Sequence, residues 1–174
     1  MKTHIELGQA RTGPLQGVRV ADFSAIFSGP IAGAMLADQG ADVIKVEAFD
    51  GDLMRRGFPQ SGGMASAFTS MNRNKRGLAI DLQQDAGKAI ARKLILSADI
   101  VLENFRPGVM DRLGLGYGAF RETHPKLVYA SVNGVGSTGP YANRRVYDAV
   151  IQAISGFTAL RVDGKPEMVN SLVC

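Results

Sequence analysis

Apolar and polar positions change rhythm along this chain at short intervals, and the changes mark out alternating strands and helices. Gly17-Val18-Arg19-Val20-Ala21-Asp22-Phe23 has β-branched residues at Val18 and Val20 and reads as a first strand. After a loop from Ser24, Pro30 suits a first helical turn, and Ile31 to Gln39 is predicted helical. Within it Ile31, Met35 and Leu36 are apolar, and Ala32, Gly33 and Ala34 are small enough for close packing on a sheet. Gly40 sits where a helix-terminating glycine belongs. Ala41 to Glu47, with Val43, Ile44 and Val46 apolar, is the second strand. Such a strand–helix–strand unit predicts parallel pairing through a right-handed crossover.

The pattern then repeats. Residues 48–76 form a long, glycine-rich connection with helical potential near Gly63 to Met71. Gly77 to Leu82 is a third strand, and Asp85 to Ala98 a helix with Ala86, Ile90, Leu94 and Ile95 at helical spacing. Ile100 to Glu103 is a fourth strand, stopped at Asn104 and turned by Pro107-Gly108 into a short helical segment ending at Gly114. Tyr117 to Thr123 reads as a short helix and Leu127 to Asn133 as a fifth strand. After the loop Gly134 to Val146, Ala149 to Leu160 is helical, with Val150, Ile151, Ile154 and Phe157 on one side. Asp148 stands at its start, where the helix dipole favours an acid. Arg161 to Cys174 carries a turn at Asp163-Gly164-Lys165-Pro166 and an apolar Leu172-Val173-Cys174. The alternation is that of an α/β fold: a mostly parallel sheet with flanking helices. Residues 1–13 are expected to be a flexible leader before it.

Composition narrows the setting. A chain of 174 residues with 45% hydrophobic content supports one domain core. No apolar run reaches the roughly 18–20 residues of a membrane span, and no signal-peptide segment opens the chain. One cysteine, Cys174, excludes an internal disulfide framework. These features predict a cytoplasmic protein with no membrane partner. The net charge of +4 is borne by loops, at Arg55-Arg56, Arg73 to Arg76, Arg106, Arg112 and Arg144-Arg145. Without a basic helix or an RNA-binding aromatic motif, nucleic acid is not expected, whereas a small phosphorylated ligand suits such charge. Asn72-Arg73-Asn74-Lys75-Arg76 has two readings, a phosphate-facing loop or a solvated turn. No metal site and no tightly bound cofactor are expected.

The candidate chemistry gathers after the fourth strand. Asn104, Phe105, Arg106 and Arg112 lie at or beyond a strand's carboxyl end, the edge where open α/β sheets bind ligands. A ring to stack a base, an amide to read it and guanidinium forks for phosphates suit a nucleotide. The other reading is a solvated turn with ordinary surface charge. Glu47 ends the second strand, where dinucleotide-binding folds hold a ribose hydroxyl. However, Phe27-Ser28-Gly29-Pro30-Ile31-Ala32-Gly33 is not G-x-G-x-x-G, and no Walker sequence is present.

Taken in order, Leu15-Gln16-Gly17-Val18-Arg19-Val20, Gly29-Pro30, Gly40-Ala41-Asp42-Val43-Ile44-Lys45-Val46-Glu47, Asn74-Lys75-Arg76, Ala98-Asp99-Ile100-Val101-Leu102-Glu103-Asn104-Phe105-Arg106-Pro107-Gly108 and Tyr147-Asp148-Ala149-Val150-Ile151-Gln152-Ala153 resemble the class III CoA-transferases. That family includes formyl-CoA transferase, the carnitine CoA-transferases and α-methylacyl-CoA racemase. Each motif is weak alone, and their order and spacing are specific. The resemblance implies a Rossmann-like large domain, of which residues 14–174 would be the N-terminal part, a second smaller domain elsewhere, and an interlocked homodimer.

It also implies coenzyme A as a substrate moiety. By resemblance Ile26, Phe27 and Ser28 lie along the pantetheine. Ile80, Leu82 and Gln83, with Asn104, Phe105 and Arg106, hold the adenine nucleotide, and Arg112 and Arg145 lie near its phosphates. The partners implied are an acyl-CoA and a carboxylic acid acceptor. The family's nucleophile is an aspartate, expected just beyond Cys174, which would act through a mixed anhydride and an aspartyl-CoA thioester; Asp148 would support it. The chain itself would then be inactive. Two departures bear on substrate. Tyr147 stands where the racemase branch has a histidine, which disfavours racemization. Phe27 replaces the glutamine of formyl-CoA transferase, which favours a larger or less polar acyl group than oxalate. Ala48 replaces a basic residue often found near the nucleotide. A racemase-type enzyme, a non-catalytic CoA- or nucleotide-binding module and a NAD-dependent oxidoreductase are the alternatives.

Overall fold

A computed structural model describes residues 12–57, 59–142, 144–160 and 164–167. The expected leader, up to residue 11, and the apolar Leu172-Val173-Cys174 lie outside the described residues. Five strands form one parallel sheet: β1 (Arg19–Asp22), β2 (Asp42–Glu47), β5 (Arg76–Ala79), β6 (Ile100–Glu103) and β7 (Val128–Ser131). Their order is β5-β2-β1-β6-β7. The chain works outward from β1 to β5, crosses back to β6 beside β1, and works outward again. The order reverses between β1 and β6, and the crevice beyond their carboxyl ends is where such sheets take ligands.

Both faces of the sheet are covered, so its central strands are mostly apolar, with Asp22, Lys45 and Glu103 buried toward their carboxyl ends. On β1, Val20 joins one cluster with Ala37, Ala41, Val43 and Leu102. Its neighbour Ala21 joins the other, with Phe23, Ala91, Ile95, Val101 and Phe120. Successive side chains thus serve opposite layers, as strand geometry requires.

The helices pack through small residues. In α1 (Ser28–Asp38) the buried positions are Gly29, Pro30, Gly33, Ala34 and Ala37, while Met35 is exposed. The helix begins at Ser28, three residues before the expected Ile31. Gly40 follows its C-cap with φ +98, as expected of a terminating glycine. In α3 (Asp85–Leu96) the buried face is Gly87, Ala91 and Ile95; of the expected Ala86, Ile90, Leu94 and Ile95, Ile95 is buried and Leu94 packs on the core, while Ala86 and Ile90 are exposed. A Cβ at Gly87 would lie 1.9 Å from the Asp81 carbonyl oxygen, so closeness to the preceding turn sets the rotation.

The long connection is structured. It holds a 3-10 turn (Leu53–Arg56), the hairpin β3 (Gln60–Ser61) and β4 (Met64–Ala65) turned at Gly62-Gly63, and α2 (Ser66–Met71). Downstream, α4 (Val109–Arg112) follows β6, and the segment expected as a helix from Tyr117 is only a 3-10 turn, Tyr117–Ala119. Helix α5 (Asp148–Ser155) stops five residues before Leu160, because Gly156 adopts a left-handed conformation. Of the four apolar residues expected on one side, Val150, Ile154 and Phe157 are exposed and Ile151 lines a cavity. The short strands β8 (Ala159–Leu160) and β9 (Pro166–Glu167) pair antiparallel.

Candidate functional site

The segment after β1 crosses the switch point, and each of its residues is tied down. Phe23 N–H donates to the Leu102 carbonyl of β6 at 2.8 Å. Ser24 donates through both its N–H and its hydroxyl to Asp22. Ala25 is gripped twice by the amide of Asn104: its N–H donates to Oδ1 at 2.8 Å and its carbonyl accepts from Nδ2 at 2.7 Å. Ile26 has φ +69, a left-handed conformation that a β-branched residue rarely adopts and that costs about 1–3 kcal/mol. Its N–H donates to Asp52 at 3.2 and 3.3 Å. Gly29 lets α1 start against this segment, since a Cβ there would lie 2.2 Å from Ser24 Cβ.

Beneath it lie two buried ion pairs. Lys45 Nζ is 2.9 Å from Asp52 and 2.8 Å from the Ser24 carbonyl. Lys75 Nζ is 2.9 Å from Asp22, and also donates to the Pro30 carbonyl and to Asn72 Oδ1. Burial pulls the Lys75 ammonium below the ordinary lysine value, against the opposing pull of Asp22. Lys75 therefore fits neither reading of its basic loop, for it is an internal counter-ion. Its neighbours stay at the surface in exposed ion pairs, Arg73 with Asp38 and Arg76 with Asp42. Glu47 is engaged by Arg55, at 2.9 and 2.6 Å, and by the N–H of Asp52. Burial raises its carboxyl, but the bonds from Arg55 and Asp52 and the charge of Lys45 outweigh that and hold it below its ordinary value. Arg55 in turn lies 3.9 Å from the centre of the Phe68 ring. The acid that a dinucleotide ribose would need is thus bonded within the protein.

Over this floor opens a cavity of about 620 Å³. Ile26, Phe27, Ser28 and Asn104 form one side; Asn133, Gly134, Tyr147, Asp148 and Ile151 are among the residues opposite. Asp148 is the first residue of α5 and accepts from Gln152 Nε2 at 2.7 Å. Gly134 keeps the wall closed, as a Cβ there would meet Val146 at 2.4 Å. A smaller pocket of about 200 Å³ shares Ile26, Asn104 and Tyr147 and adds Phe105, Arg106, Arg144 and Arg145. A mostly apolar chamber whose one charged wall residue is Asp148, beside three guanidinium groups, suits a ligand with a neutral arm and an anionic head.

The structure brings Ile26, Phe27, Ser28, Asn104, Phe105, Arg106, Arg145 and Asp148 together around these two pockets. It leaves four expected residues outside their walls. Ile80 is buried in the core and Leu82 packs on the same cluster. Gln83 is exposed, with its N–H bonded to Asp81. Arg112 is exposed on α4, its guanidinium near Gly108. Sequence reasoning passed over Asp22, Lys45 and Asp52. A lysine inside the apolar run of β2 was a signal; Asp52, after Gly51 in a polar loop, gave none. Among the described residues no group of three His, Cys, Asp or Glu side chains could hold a metal, and no helix is long and apolar enough to cross a membrane.

The family model described as CoA-transferase family III matches residues 15–174. The chain is 41% identical over 166 residues to the succinate–glutarate CoA-transferase of Agrobacterium fabrum, covering 90% of this chain and 42% of that protein. It is 40% identical over 148 residues to a formyl-CoA:oxalate CoA-transferase of Streptomyces avermitilis, covering 83% and 36%. A crystal structure of a CAIB/BAIF family protein from Brucella suis superposes with a TM-score of 0.86 at 38% identity, covering 93% of this chain and 45% of that one. The chain spans less than half the length of these relatives.

Proposed function

The chain belongs to CoA-transferase family III, and from that premise we propose that the complete protein moves CoA from an acyl-CoA to a carboxylic acid. One observation supports this most: the mostly apolar cavity at the β1/β6 crevice, with Asp148 in its wall, adjoins a pocket with Arg106, Arg144 and Arg145. The pantetheine arm suits the first and the phosphates the second.

In this reading an aspartate just beyond Cys174 is the nucleophile. Its carboxylate attacks the thioester carbonyl, the C–S bond breaks, and a mixed anhydride forms as CoA thiolate leaves. The thiolate attacks the aspartyl carbonyl, giving an aspartyl-CoA thioester and releasing the donor's carboxylate. An acceptor carboxylate then attacks that thioester, and the two steps run in reverse order to yield the new acyl-CoA. Covalent catalysis divides one difficult exchange into near-isoenergetic steps. Asp148, at the mouth of α5, orients the nucleophile or its substrate, and Phe27 favours an acyl group larger or less polar than oxalate. The enzyme would work as a cytoplasmic homodimer. Racemization lacks its base here: Tyr147 holds that place, and His124 is half-buried and bonded to the Ala98 carbonyl at 2.8 Å.

The test is calorimetry on the complete protein with CoA and with NAD, followed by a panel of acyl-CoA donors and dicarboxylates. CoA binding with acyl exchange is expected. A preference for NAD would refute the assignment, and CoA binding without exchange on any donor would make the protein a binding module.

A further inference from the structure

We infer that Asp52 and Lys45 are positioning residues: the buried pair holds Ile26 in its left-handed conformation and thereby aims Phe27 and Ser28 into the cavity. Its catalytic meaning rests on the CoA-transfer reading; its geometry does not. Neither residue lines the cavity, and both side chains are buried, at 1% and 3% exposure. Three successive residues are held by three different groups. Lys45 takes the Ser24 carbonyl, Asn104 takes both backbone groups of Ala25, and Asp52 takes the Ile26 N–H. Asp52 also accepts from Met54 N–H at 3.0 Å, so the pair ties the segment to the long connection. A β-branched residue stays at positive φ only where its surroundings over-determine it. Apolar residues could fill the same space at little cost in stability. They would offer no acceptor to Ile26 N–H, and that is the role the ion pair supplies.

The experiment uses the full-length protein. Asp52→Asn alone strands the buried Lys45 charge and risks misfolding, so Lys45→Met and Asp52→Leu are introduced together; Lys45→Met with Asp52→Asn, which keeps an acceptor for the Ile26 N–H without a buried charge, serves as the milder variant with the same pattern expected at smaller amplitude. Faster exchange of the Ile26 amide is expected, with a fall in kcat of about 10–100-fold from misplaced cavity walls. The calorimetric Kd for CoA should change far less than kcat, by no more than about 3-fold, since Arg106, Arg144 and Arg145 of the nucleotide pocket are untouched. In an Ile26→Gly background, where positive φ needs no support, the same double replacement should cost no more than about a further 3-fold in kcat. Unchanged amide exchange, unchanged kcat, or an equal loss in both backgrounds would overturn the inference. Absence of CoA binding and transfer in the unaltered protein would instead refute the proposed function, while amide exchange still decides whether the pair holds Ile26.

Discussion

Asn104 commits both ends of its amide to Ala25, at 2.8 and 2.7 Å. Asn104→Ala strands a donor and an acceptor together, and should destabilise the protein by about 2–4 kcal/mol in chemical denaturation. Asn104→Asp keeps the acceptor but sets an anion against the Ala25 carbonyl, so it should do no better. Glu47 makes a prediction about pH. Its folded value lies below the ordinary 4.5, so its contribution is fully present above about pH 4.5 and is lost as pH falls through the depressed value. Melting temperatures measured against pH should therefore fall more steeply below pH 4.5 in the native protein than in Glu47→Gln; parallel curves would refute this. At this scale the sequence was half legible. Asn104 stood out because a polar amide ended an apolar strand. Asp52 did not, because its partner Lys45 comes from a different element.

Helix α1 depends on residues that lack bulk. Gly33→Ala should gain about 1 kcal/mol of helix propensity. Its Cβ, however, would lie 2.7 Å from Asp22 Oδ2 and 2.9 Å from Lys75 Nζ. Overpacking costs about 1–3 kcal/mol, and disturbing a buried ion pair about 3–5 kcal/mol, so the steric effect wins. A net loss of about 2 kcal/mol or more is expected in thermal melts, against a near-neutral Gly118→Ala, where nothing lies within 4 Å. Elements were legible where hydrophobic period and terminating residues agreed, as at α1 with Gly40. They were misread where close approach overrode apolar spacing. At α3 the close approach of Gly87 to Asp81 puts Gly87 and Ala91 inside in place of Ala86 and Ile90, while Ile95 is buried as its spacing predicts.

For the whole molecule, alternation of strand and helix disclosed the α/β class, and the ordered motifs disclosed the family. The pairings between distant segments were not legible, because Lys75 meets Asp22 across 53 positions of chain. The same arrangement separates two arginines that the family resemblance placed together. Arg145 lines the smaller pocket and Arg112 does not. In the complete protein Arg145→Ala should weaken CoA binding by about 10-fold or more, the worth of a charge-assisted contact, and Arg112→Ala by less. Equal losses by calorimetry would return Arg112 to the site.

The central place of β1 has a kinetic consequence. Its pairing with β2 closes across one short helix, whereas its pairing with β6, Val20 to Ile100, must await a segment 80 residues further along. Loop closure favours the nearer contact early, so β6 docks after the first βαβ unit has formed. The grip of Asn104 on Ala25 belongs to that later event. Asn104→Ala should accordingly speed unfolding while leaving the refolding rate almost unchanged, a φ-value near zero in stopped-flow measurements. A marked slowing of refolding would place β6 in the nucleus instead. The crevice between β1 and β6 would thus be among the last parts of the sheet to form and the first to open.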